Sequence, residues 1–144
     1  MKRILAVATG LVTASMMIAS ASAQEVKLTL HHFLGPKAPA QTQMLEPWAK
    51  SVEEASGGRI KVEIFPAMSL GGKPPELYRQ VRDGVVDIVW TVLGYTPGTF
   101  PRSEVFELPT VHKGSAMQTT IALTSAFDMV AEDFKDVKPI LLHT

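Results

Sequence analysis

Apolar and polar residues alternate from position 26, where VKLTLHHF sets Val26, Leu28 and Leu30 on one face and Lys27 and Thr29 on the other. That period of two predicts a first strand over 26–33, with His31, His32 and Phe33 at its carboxyl end. Gly35, Pro36 and Pro39 mark a loop, after which Met44, Leu45, Trp48, Val52 and Ala55 recur at helical spacing. Pro47 leaves two options: the regular helix begins only about a turn before it, or the helix is kinked there. Ser56-Gly57-Gly58 closes this helix, and RIKVEIF over 59–65 alternates again as a second strand.

The stretch SLGGKPPELYRQVRDGVVDIVWTVLGY, residues 69–95, organises the rest. Gly71 and Gly72 permit a tight turn, and Pro74 or Pro75 suits a first helical turn, where a missing N–H costs nothing. Leu77, Tyr78 and Val81 share one face of that helix, Glu76, Arg79, Gln80 and Arg82 stay in water, and Asp83-Gly84 stops it. The apolar run 85–93 predicts a third strand buried on both faces. Residues 94–109 hold three prolines together with Tyr95, Phe100, Phe106 and Glu107, a segment expected to line a site or cross a sheet edge. A long helix follows from about 114 to 134, with Leu123, Phe127, Val130 and Phe134 on its buried stripe. A fourth strand is predicted over 137–143, and Pro139 puts it at an edge or a strand start.

The order β-α-β-α-β-loop-α-β predicts an α/β fold, a mostly parallel sheet flanked by helices. Residues 90–95 then fall at the carboxyl edge, where open α/β sheets take ligands. The last strand has no closing helix, and a bare parallel edge invites mispairing. The chain is therefore expected to be a piece of something longer.

The first 23 residues stand apart from this pattern. Lys2 and Arg3 precede an uncharged run over 4–19, and Ala21-Ser22-Ala23 matches the small-x-small site of signal peptidase. A signal peptide cut after Ala23 is expected. The alternative, a membrane anchor, fits poorly with so short a run rich in Ala, Ser and Thr. Taking 23 from 144 residues leaves 121, enough for one domain with a core. The chain carries 14 basic and 14 acidic residues, so losing Lys2 and Arg3 leaves 12 against 14. No basic patch suggests a nucleic-acid partner. Cysteine is absent, so packing alone must hold the chain together.

Four pieces in sequence, LTLHHFLGP, PWAKSVEEASGGRIKVEIFPAMSLGG, ELYRQVRDGVVDIVW and GYTPGTFPRSEVFELP, resemble one family. It is the periplasmic solute-binding proteins of TRAP (tripartite ATP-independent periplasmic) transporters, the DctP-like family, and the match is to their amino-terminal half. The resemblance covers nearly all of the chain after Ala23. It implies a periplasmic-binding-protein-like lobe over 24–144, truncated before a second lobe. Two such lobes would close over a small organic anion, usually a carboxylate, and deliver it to TRAP membrane permease subunits. It also implies a periplasmic location, no catalysis, no cofactor, and no membrane insertion once the signal is removed. The family's carboxylate-gripping arginine, suited to the task by its bidentate fork, would lie beyond Thr144. None of Arg59, Arg79, Arg82 or Arg102 stands at its position, and the isolated chain is not expected to bind tightly.

Six residues are candidates for contact with the ligand: His31, His32 and Phe33 at the end of strand one, and Trp90, Thr91 and Tyr95 at the end of strand three. Adjacent strand residues point to opposite faces, so at most one histidine can look into the site, and a metal shared by both is not expected. Each histidine is either a ligand contact or a polar strand end. Phe33 stacks on a ligand ring or seals the lobe, and Trp90 is core or contact. Tyr95 offers a ring and a hydroxyl from a loop. Gly71 and Gly72 make a structural turn or cradle an anion at a helix start. Glu104 and Glu107 read as surface groups.

Two other functions compete. A binding protein serving a sensor kinase or an ATP-driven importer would look the same in this half. A periplasmic enzyme would need a nucleophile or metal motif, and the chain has no cysteine, no G-x-S-x-G and no H-E-x-x-H.

Overall fold

Three parallel strands, β1 (Val26–His32), β2 (Ile60–Phe65) and β3 (Ile88–Trp90), form a sheet of order β2-β1-β3. The computed structural model describes residues 26–109, 111 and 114–143. The expected signal peptide lies outside the described residues. Among the described residues no helix is long and apolar enough to cross a membrane.

β1 is the central strand. It pairs with β2 from Val26↔Ile60 to His31↔Phe65 and with β3 from Leu30↔Ile88 to His32↔Trp90. Its even-numbered side chains meet α1 (Glu46–Ala55), where Leu30, Leu45, Ala49 and Val62 form a buried cluster ringed by Met44, Trp48, Val52, Ile64 and Ile88. The opposite face is served by α2 (Leu77–Arg82), whose Leu77 is fully buried. The alternation of VKLTL therefore sorts one strand between two helices.

Register between β1 and β3 is fixed by a reciprocal clasp. The Asp87 carboxylate accepts from the Thr29 backbone N–H and hydroxyl, both at 2.8 Å, and the Asp87 N–H donates back to the Thr29 hydroxyl oxygen at 3.1 Å. These donors, the backbone N–H first, hold the Asp87 carboxyl below the usual carboxylate range.

Pro47 resolves the ambiguity in the first helix. Regular α-helix begins at Glu46, and the turn ahead of it, Gln41–Leu45, is wound wide as a π-helix, with the Glu46 N–H reaching the Gln41 carbonyl. A proline at 47 withholds its N–H from the residue four before it and crowds that carbonyl, so a wider turn is favoured there. The same wide turn carries buried Gln41.

Three expectations need correction. The third strand spans only Ile88–Trp90 rather than 85–93. Residues 83–86 are consumed in closing α2, where the Val85 N–H bonds the Gln80 carbonyl, and Val85 is 70% exposed. The long helix over 114–134 is instead α3 (Ala116–Ser125), α4 (Phe127–Val130) and a 3₁₀ turn, Ala131–Phe134. Ser115 and Gln118 form a capping box that starts α3. Inside α3 the Thr124 hydroxyl bonds back to the Thr120 carbonyl, a competition with the backbone that bends and weakens helices. Finally, residues 137–143 form no strand. Pro139 removes a ladder donor, and Val137 and Leu142 pack instead on a second cluster built from Phe100, Leu123, Val130 and Phe134. The expected stripe is otherwise in place.

Leu30→Ala should cost about 3 kcal/mol in urea unfolding, because it empties the centre of the α1 cluster. Thr29→Val should cost about 1 kcal/mol through the lost clasp. A carboxyl with a depressed folded-state pKa stabilises above its unfolded value and loses that contribution as pH falls through the folded one. The clasp is therefore fully effective above about pH 4 and fails in acid. Thr29→Val keeps the backbone N–H and should therefore shrink the stability gap between pH 5 and pH 3 only in part; an unchanged gap would remove the Thr29 hydroxyl from the clasp.

Candidate functional site

The pairing of His32 with Trp90 puts the carboxyl ends of β1 and β3 at one level. Phe33 and Thr91 therefore emerge side by side at the carboxyl edge of the sheet, the edge where open α/β sheets take ligands. Phe33 lies between two rings, its centroid 5.4 Å from Trp90 and 5.3 Å from Tyr95, both tilted. His32 meets Trp90 edge-on at 6.5 Å. These are the spacings at which aromatic groups attract beyond their area burial. Tyr95 is 41% exposed, and Phe33, Trp90 and Thr91 are half-buried, so the row is a rim rather than a core.

The Trp90 indole N–H donates to Nε2 of His143 at 2.9 Å, and the two rings stack at 5.9 Å. Segment 137–143, read from sequence as a strand, thus lies over one side of Trp90. Sequence reasoning missed this contact, for which no local pattern exists.

His31 and His32 are fully buried on opposite faces of β1. His31 Nδ1 bonds Gln80 Oε1 at 2.8 Å, from the α2 side, so Gln80, expected to stay in water, instead turns inward to satisfy a buried imidazole. His32 Nε2 bonds Gln41 Oε1 from the π turn, and its Nδ1 accepts the Leu34 N–H at 3.2 Å. Burial, more than the neighbouring His31, holds the His32 pKa below that of a free imidazole, against the opposing pull of the Gln41 bond. His32 is therefore neutral at neutral pH.

The turn after β2 closes over this edge. The Met68 N–H bonds the His32 carbonyl at 3.0 Å and the Ala67 N–H bonds the Leu34 carbonyl at 2.8 Å. Both residues sit in the left-handed region, φ 54° for Ala67 and 56° for Met68. Side chains resist that conformation by about 1–2 kcal/mol each, and such strain gathers at binding sites.

Gly71 and Gly72 both have φ near 90° and serve a structural turn. The N–H at the following helix start is taken by Glu76, which accepts from the Lys73 backbone at 2.8 Å. Glu104 and Glu107 brace the long loop, accepting from the Gly98 and Gly94 N–H groups. Arg79 and Arg82 pair with Glu76 and Asp83, and the Arg59 guanidinium bonds the Ser56 carbonyl at the far, amino-terminal end of β2.

A cleft of about 800 Å³ runs along the unpaired edge of β3, between α1, α2 and residues 136–143. Trp90 and Thr91 line it; His31, His32, Phe33 and Tyr95 do not. Its lining is mostly aliphatic and aromatic, and its charged groups are Asp87, Glu107, Asp136 and a single cation, Lys138. Three carboxylates against one lysine make a poor receptor for an anion, which favours the aromatic rim as the site. Among the described residues no group of three His, Asp or Glu is placed to hold a metal ion.

Comparison with known proteins agrees with this architecture. Residues 30–137 match the family model "DctP: Bacterial extracellular solute-binding protein, family 7". A marine-metagenome TRAP solute-binding protein from an unidentified microbe, specific for aromatic acid ligands and solved with metahydroxyphenylacetate, is 52% identical. Its TM-score is 0.79, over 83% of this chain and 37% of that one. A TRAP solute-binding protein from Rhodoferax ferrireducens T118, solved with copurified benzoate, is 42% identical with a TM-score of 0.74, over 81% of this chain and 36% of that one. The curated "Outer membrane transporter protein TsaT" of Comamonas testosteroni is 30% identical over 115 residues, 80% of this chain and 33% of that protein. The chain thus spans about a third of the length of these relatives. A parallel sheet flanked by helices, sharing its fold with solved TRAP solute-binding proteins and matched over 30–137, makes this chain a member of the DctP family of bacterial extracellular solute-binding proteins.

Proposed function

We propose that this chain is the ligand-collecting part of a TRAP-type transporter's substrate-binding subunit, and that its ligand is a small aromatic carboxylate. The observation that carries the reading is the row of Phe33, Trp90 and Tyr95 at the carboxyl ends of β1 and β3. A flat ring laid against that row gains the same offset or edge contacts the three make with one another. The aromatic acids held by the two solved relatives support the choice. Thr91 adds a hydroxyl beside the ring.

The carboxylate needs a cation, and none of Phe33, Trp90, Thr91 and Tyr95 is one, while Arg79 and Arg82 pair with Glu76 and Asp83. A guanidinium from a second lobe would grip it, closing the site as the lobes come together. The protein acts in the periplasm after removal of a signal peptide at Ala23. It performs no chemistry of its own, and it hands its ligand to membrane permease subunits.

Isothermal titration of the whole protein tests the proposal. Benzoate and hydroxybenzoates should bind with micromolar or tighter dissociation constants, about −8 kcal/mol, and straight-chain carboxylates much more weakly. Trp90→Ala should weaken benzoate binding about tenfold, the scale of one lost aromatic contact, and leave residual binding of an aliphatic acid unchanged. No heat with any aromatic acid would dismiss the reading. Equal losses for both ligand types would remove Trp90 from the ligand's ring pocket.

A further inference from the structure

Two consecutive imidazoles buried on opposite faces of a central strand raise a question of proton placement that the hydrogen bonds answer. A carboxylate can only accept, so the Gln41 amide N–H₂ faces Glu46 Oε1 at 2.8 Å, which leaves Gln41 Oε1 facing His32. His32 Nε2 must then carry the proton. From the other side, the Leu34 N–H can only donate, so His32 Nδ1 must be bare. The two constraints agree.

The same accounting for His31 gives the reverse. The Gly71 carbonyl only accepts, so the Gln80 N–H₂ faces it at 3.1 Å and Gln80 Oε1 faces His31 Nδ1. That nitrogen carries the proton, and Nε2 accepts the Leu70 N–H at 3.4 Å. Each imidazole thus donates to a helix glutamine and accepts from the backbone of a loop, one on each side of the sheet.

We propose that His31 and His32, locked as opposite neutral tautomers by Gln80 and Gln41, are positioning residues that hold the aromatic rim from behind. They tie the carboxyl end of β1 to α2 and to the π turn, one residue before Phe33 leaves the strand. His32 also stands perpendicular to Trp90, ring centroids 6.5 Å apart, so a ring held in place supports that indole from one side. Neither ring has a nitrogen left for a ligand. The role rests on the aromatic-acid reading only for its effect on affinity; the tautomers and the indole's surroundings stand apart from it.

Nitrogen-15 NMR of the histidine-labelled whole protein, with signals assigned by His31→Asn and His32→Asn, decides the proton positions. At neutral pH, without ligand, His31 should be protonated at Nδ1 and His32 at Nε2. The same tautomer in both, exchange-averaged tautomers, or an imidazolium would overturn the inference. Gln41→Met should leave the His32 tautomer held by the Leu34 N–H alone, shift the fluorescence component that Trp90→Phe removes, and weaken benzoate binding about tenfold. Unchanged Trp90 emission together with unchanged affinity would also overturn it.

The paired exchange Gln41→Glu with Glu46→Gln keeps an acceptor at His32 and a donor behind it. It should keep the native tautomer and restore the emission; failure to do so counts against the clamp, and it serves if Gln41→Met does not fold. Should the wild-type protein bind no aromatic acid, the ligand reading falls. The tautomers and the Trp90 emission then still decide this inference.

Discussion

The carboxyl half of β1, central in its sheet and buried on both faces, has neither a free edge nor a wet side, so every polar group it carries must find a partner inside the protein. β1 ends in two imidazoles under that constraint, and the rest of the site follows from how they are satisfied. Leaving a buried donor or acceptor unpaired costs about 1–3 kcal/mol. Here two helices, each supplying one glutamine, and two loop amides meet the four ring nitrogens. Satisfying the histidines therefore also fixes where α2 and the π turn sit against the sheet.

From that anchor the binding edge is built outward. The Thr29–Asp87 clasp sets the register of β3 on β1, the register brings Trp90 level with His32, and the next residue on β1 is Phe33. Tyr95 joins from the 3₁₀ turn Leu93–Tyr95 that follows β3. The strained Ala67–Met68 turn closes against the same end of β1 by backbone bonds. Three separate stretches of chain thus converge on one end of the sheet, while Arg79 and Arg82 are spent on local pairs. Such a surface suits a flat apolar body, which is the basis of the proposed aromatic-acid ligand.

Much of this was legible in the residues. The alternation of VKLTL and RIKVEIF gave β1 and β2, the spacing of Leu45, Trp48 and Val52 gave α1, and the carboxyl-edge rule gathered six candidates that the structure does bring to one end of the sheet. Where local signals failed, a competing interaction had won. An apolar run cannot say that Val85 is needed to close α2, and a helical stripe cannot say that threonines will bend the backbone. Segment 137–143 kept its apolar character but spent it on the second cluster and on Trp90. Gln41 and Gln80 left almost no trace, since their partners lie 9 and 49 residues away. The helical pattern puts Gln80 on the wet face of α2, and the one available hint is a strand ending in His-His, which asks for polar partners from both sides. Ala67 and Met68 gave none, because nothing in their chemistry asks for a left-handed backbone.

The central claim is that a flat carboxylate rests on the Phe33–Trp90–Tyr95 row. A crystal structure of the whole protein grown with benzoate tests it most directly. The account predicts the ligand's ring within about 4.5–7 Å of at least two of those three ring centroids, with His31 and His32 making no contact to it. A benzoate seated along the open edge of β3, away from Phe33 and Tyr95, would contradict it.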